Sequence, residues 1–132
     1  MSDMARLKSL KVALVVIGVT LIAGIYPLMM VWPSGWRWHE GHSDYPLMIV
    51  GVYATLGVFL LMAARDPLRN RSLIQFTIWS SVVHAAIMTF QSFGAGNHGH
   101  LVGDVPALFV IAGVLAALTP RSEAAAAALR AA

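Results

Sequence analysis

The chain has 132 residues and a net charge of +3; 58% of it is apolar and only 11% charged, with a mean hydropathy of +0.73. A soluble domain carries about 25% charge, and so much apolar surface would leave too few polar residues to cover a water-facing exterior, so lipid is its natural solvent. The absence of cysteine excludes disulfide frameworks, thiolate metal sites and thiol nucleophiles. The pI near 9.8 does not point to nucleic acid, because the basic residues lie between apolar runs instead of on one face.

A membrane span needs about 20 apolar residues to cross roughly 30 Å of hydrocarbon, and only a helix satisfies its own backbone there. Four stretches qualify, over about residues 12–32, 46–64, 73–93 and 101–119, with the last strongest from Val105. This predicts an all-α fold: one domain of four transmembrane helices forming two antiparallel helical hairpins, with an alanine-rich tail over 120–132.

In the first run Pro27 predicts a kink. The run is too long for a secretory leader, although Arg6, Lys8 and Lys11 precede it, and no small-x-small cleavage site follows. Asp44-Tyr45-Pro46 predicts the start of the second helix, with a capping carboxylate two residues before a proline in the first turn. Arg65-Asp66-Pro67 ends that helix, since the residue before proline is pushed out of the helical region. Ser72 followed by Gln75 reads as a capping box for the third helix, and Asp104-Val105-Pro106 opens the fourth in the manner of the second. Small residues mark expected packing faces at Gly18, at Gly51, Ala54 and Gly57, and at Gly113, Ala116 and Ala117.

Eight of the nine Lys and Arg residues fall before the first helix, between the second and third, or after the fourth, with only Arg37 in the other loops. Under the positive-inside rule both termini are expected in the cytoplasm. Trp32, Trp36, Trp38 and Tyr45 gather around the first outer loop, where an aromatic belt at the headgroups would place them. The two hairpins echo each other: each outer loop carries two histidines and ends in Asp-x-Pro.

Four of the five histidines therefore lie on the outer side, near Glu40, Asp44 and Asp104. Imidazole and carboxylate at this density can hold a divalent ion such as zinc or copper, and the candidate metal ligands are His39, His42, His98, His100 and Asp104. His39 and His42 share a side if their segment is helical, and His98 and His100 if theirs is extended. The structural alternative is that these are ordinary interfacial loop residues, with Asp44 and Asp104 explained as helix caps. Gly94, Gly96 and Gly99 predict a flexible second loop.

His84 lies about eleven positions into the third helix, roughly 17 Å from its inner end. It belongs to a stripe of Thr77, Ser81, His84, Met88 and Gln91 at three- and four-residue steps, a face expected to turn toward the other helices. One reading is helix glue, with a neutral histidine bonded to a serine or threonine across the bundle and Tyr53 donating into the same interior. The other is functional, as a haem ligand, a proton relay or a quinone contact, with His84 and His100 the candidate cofactor-binding residues.

The segments Ala64-Arg-Asp-Pro67, Trp79-Ser-Ser-Val-Val-His-Ala85 and Gly103-Asp-Val-Pro-Ala-Leu108, within a stretch from Leu56 to Leu108, resemble a family of small bacterial four-helix membrane proteins of uncharacterised function. The resemblance implies the fold and a bacterial inner membrane, and transfers no activity. Small multidrug exporters are similar in length and helix count, but their pattern places a carboxylate inside the first helix, and here residues 12–32 hold none.

Three functions are compatible with this reading. The first is a non-enzymatic accessory or structural protein of the inner membrane, with the lipid bilayer as its main partner and a divalent metal on its outer face. The second is a small redox subunit binding haem or quinone through His84. The third is a transporter protomer that works as a homodimer.

Overall fold

A computed structural model of the chain describes residues 3–38 and 44–120, together with 127 and 131. His39 and His42, and nearly all of the alanine-rich tail, lie outside the described residues. Among the described residues the secondary structure is entirely helical: α1 (Asp3–Ala23), α2 (Ile25–Val31), α3 (Pro33–Trp36), α4 (Tyr45–Ala63), α5 (Arg71–Gly94), a 3₁₀ turn (His98–Leu101) and α6 (Asp104–Leu118).

Three segments are long and apolar enough to cross a membrane: α4, α5 and the continuous stretch His98–Leu118; α1 with α2 makes a fourth if that bent pair is one span. The bend is 54° and falls at Gly24, three residues before Pro27. Proline has no N–H to give to the carbonyl of Ala23, four residues back, and its ring collides with that carbonyl, so the helix breaks there. The expected kink is therefore present. At the other end α1 runs back to Asp3 through Arg6, Lys8 and Lys11, since helix continues past the point where apolar sequence stops.

Most of the surface on these segments is apolar. Only 17% of the α4 span is buried inside the protein, and Phe76, Trp79, Phe90 and Phe93 of α5 point outward. These rings stay mostly exposed, as apolar side chains facing hydrocarbon would be.

The helix starts differ in detail from the capping signals. Asp44 occupies the N-cap position of α4, but its side chain makes no capping bond, and Asn70, not Ser72, precedes α5. Asp66 orders the α4–α5 connection instead, accepting the Arg69 backbone N–H at 3.2 Å while the Asn70 amide donates to the Asp66 carbonyl at 2.8 Å.

The long helices stand side by side in the order α4, α1, α6, α5, and α4 barely touches α5. Gly18 and Gly57 set the α1–α4 approach: a Cβ on Gly57 would lie 2.6 Å from the Gly18 carbonyl oxygen, and one on Gly18 would lie 2.9 Å from that of Gly57. Gly51 and Gly113 face open space, and Ala116 and Ala117 are exposed. The buried face of α6 is instead the one bearing Leu108, Ala112 and Leu115. The main core includes Leu10, Leu14, Leu60, Ile74 and Leu115 and continues along α1 to Leu21 and Ile25. The Arg71 guanidinium donates to the Pro120 carbonyl at 3.0 Å, tying the start of α5 to the end of α6.

Candidate functional site

With α4 and α5 barely in contact, the end away from Arg71 forms a partly open cavity of about 290 Å³. Its walls come from both sides of the Gly24 bend (Thr20, Leu21, Ile25, Met29), from Trp36, Arg37 and Trp38, and from the facing sides of α4, α5 and α6. That volume is near the lower limit for small-molecule sites, which are mostly apolar with a few placed polar groups.

Two half-buried polar residues of the lining, Tyr53 and His84, meet each other. The Tyr53 hydroxyl lies 2.6 Å from His84 Nδ1, with the two rings nearly parallel at a centroid distance of 6.0 Å. This bond bridges α4 and α5, the two helices that otherwise leave the seam open. His84 thus has a cross-helix partner, and it is tyrosine instead of the serine or threonine expected. Thr77 bonds back within α5 to the Leu73 carbonyl at 2.9 Å. The polar stripe does face inward through Thr77, Ser81 and Met88, all buried. Gln91, at its far end, is exposed along one side and borders the cavity.

A second pair closes the cavity's loop end. His100 is fully buried, and its Nδ1 lies 2.9 Å and 3.0 Å from the two carboxylate oxygens of Asp104. A carboxylate only accepts, so Nδ1 carries the proton and donates. Trp38 lies flat on the His100 ring at 4.1 Å with an 11° tilt between planes, covering the pair, while His100 Nε2 is buried without a hydrogen-bond partner. Asp104 is the first residue of α6, with Gly103 at the N-cap position, so the pair sits where the helix begins.

Glycine holds this corner tight. Side chains at Gly99 and Gly103 would collide with the backbone oxygens of Ser34 and Gly35, so these glycines allow the 3₁₀ turn to press against α3. Gly96, at φ +68°, reverses the chain just past α5 in the left-handed conformation that glycine adopts without penalty. Of the three glycines expected to loosen this loop, Gly99 is packed against Ser34, while Gly94 and Gly96 face open space.

His98 is exposed and leans against Phe93 at 6.0 Å. The 3₁₀ turn therefore parts His98 from His100, putting one ring outside and one inside. Among the described residues no three His, Cys, Asp or Glu side chains come close enough to hold a metal ion. Trp36 and Trp38, read as headgroup anchors, line the cavity.

A model of a family of unknown function, DUF6632, matches residues 4–130. The chain belongs to the DUF6632 family. A comparison of this DUF6632 chain with curated proteins found no match, and neither did a comparison with solved structures.

Proposed function

We propose that this DUF6632 protein is a bacterial inner-membrane protein of four spans, the bent α1–α2 pair counting as one. In this reading the spans form two antiparallel hairpins with both termini in the cytoplasm, and the protein binds a small lipid-soluble molecule in the cavity at its outer end. Its role is that of an accessory or carrier subunit, not a catalyst. The orientation follows from the Lys and Arg distribution. The observation that carries the ligand reading is a concave, largely apolar space whose lining includes a hydrogen-bonded tyrosine–histidine pair at the seam between two span-length helices.

A purely structural role for Tyr53 and His84 would need no space beside them. Here the pair lines a cavity, and the ring nitrogen not used by Tyr53 has no partner among the described residues. The volume suits a single ring with short substituents better than a porphyrin, so the haem reading of His84 is the weaker form of the cofactor expectation.

Native mass spectrometry of the chain released gently from membranes tests the proposal. A bound molecule of defined mass is expected, and it should be absent from Ala107→Trp, which fills the cavity from α6. Two bare chains of equal intensity, or a ligand retained by Ala107→Trp, would contradict it.

A further inference from the structure

The hydrogen-bonding arithmetic of the cavity narrows the occupant, given the ligand-binding reading above. If Tyr53 donates to His84 Nδ1, then Nε2 carries the other proton and remains an unused donor. If instead Nδ1 donates to Tyr53, the phenolic O–H is the unused donor and Nε2 becomes a free acceptor. Either way the pair offers one donor, and by exchanging tautomers it can offer an acceptor as well. A second donor stands on another element: the Trp36 indole N–H is buried with no partner, on a residue that lines the same cavity. A buried donor left unmade is costly, and a ligand oxygen would relieve it.

The shape and charge of the walls point the same way. Trp36, Trp38, Tyr45 and Tyr53 present aromatic surface suited to a flat ring, and Met29 and Met88 supply adaptable apolar contact. Arg37 and Asp104 bring opposite charges to the lining, so the cavity does not select an ion. An acyl chain would fill apolar space but would use neither the donors nor the flat surfaces.

We infer that the cavity binds the head of a lipid-soluble quinone or its quinol, with Tyr53–His84 meeting one ring oxygen and the Trp36 N–H available to another. A carbonyl accepts from the pair. A quinol hydroxyl donates to it in the alternative tautomer, so both forms of the ring bind.

The test uses the full chain in mild detergent, titrated with a benzoquinone bearing a short alkyl tail, with its quinol, and with a benzene ring bearing the same tail. Tryptophan fluorescence reports occupancy, since Trp36 and Trp38 line the site. Saturable quenching by the quinone, and competition by the quinol at comparable concentration, are expected. The alkylbenzene should need about tenfold more or greater, the worth of one hydrogen bond to a buried partner. Tyr53→Phe should weaken quinone binding about tenfold, while Thr55→Val, whose hydroxyl bonds only back to the Gly51 carbonyl on the same helix, should not. Circular dichroism checks that each variant keeps its helix content, and if Tyr53→Phe does not, His84→Gln takes its place. Equal binding of quinone and alkylbenzene, or unchanged affinity in both pair variants, would overturn the quinone assignment and leave the cavity reading standing. If none of the three ligands binds while native mass spectrometry still shows a bound molecule, the quinone assignment again falls alone. If neither measurement shows a ligand, both fall.

Discussion

Adding one methyl group at two glycines of the same helix separates close packing from mere helix composition. At Gly57 a Cβ would sit 2.6 Å from the Gly18 carbonyl oxygen and 2.8 Å from Ile22 Cγ1, whereas at Gly51 nothing lies within 4 Å. An ordinary contact is 3.4 Å or more, and the atom that must give way at Gly57 is backbone, so α1 and α4 would have to part by several tenths of an ångström. Forcing an extra methyl into a packed interface typically costs about 1–3 kcal/mol. Alanine also gains helix propensity over glycine, about 1 kcal/mol in water, but that gain applies to both variants and cancels in their difference. Gly57→Ala is therefore expected to be less stable than Gly51→Ala by about 1–3 kcal/mol. Reversible unfolding in mixed detergent micelles, followed by far-ultraviolet circular dichroism, measures that difference. Equal stability of the two variants, or a lower stability for Gly51→Ala, would refute the close approach of α1 and α4.

The remaining predictions concern the cavity end. Asp104→Leu leaves the fully buried Nδ1–H of His100 without its acceptor, and the same unfolding measurement should show a loss of about 1–3 kcal/mol; no loss would mean the pair contributes nothing. Gly103→Ala drives a methyl into the Gly35 backbone and should release Trp38 from His100, seen as a red shift and broadening of tryptophan emission; an unchanged spectrum would count against the packed corner. His98→Ala should leave zinc or copper content after mild extraction equal to that of the unaltered chain, because its ring points away from His100 and Asp104; a fall in content would restore the outer metal site. Pro27→Ala restores an N–H for the Ala23 carbonyl and should straighten α1 into α2, lengthening the distance between spin labels placed at Val12 and Met30; an unchanged distance would assign the bend to some other cause.

Much of the fold was legible because lipid imposes a simple rule: an apolar run of sufficient length must be helix. Pro27, Pro46 and Pro67 mark breaks and starts through local sterics, which act wherever the chain lies. The Tyr53–His84 pair was partly legible. Tyr53 lies eight residues, about 12 Å, below the start of α4, and His84 ten residues, about 15 Å, below the end of α5, so they share a depth if α4 begins at the face where α5 ends. Sequence alone could not say which helices are neighbours across a seam. His100 and Asp104 stand four apart, but pairing them required knowing that a 3₁₀ turn runs into α6. Trp38 on His100 was out of reach, since it depends on how two loops meet. Gly99 misled because glycine signals both freedom and close approach, and only the presence of Ser34 opposite it decides which.

The claim on which the rest depends is that the cavity lies at the outer ends of spans that cross a membrane. Because the chain has no cysteine of its own, single cysteines report position cleanly: Asn70→Cys in the α4–α5 connection and Ala95→Cys just beyond α5. In intact cells a membrane-impermeant maleimide should label Ala95→Cys and spare Asn70→Cys until the membrane is opened. Labelling of Asn70→Cys in intact cells, or of both positions alike, would contradict the account.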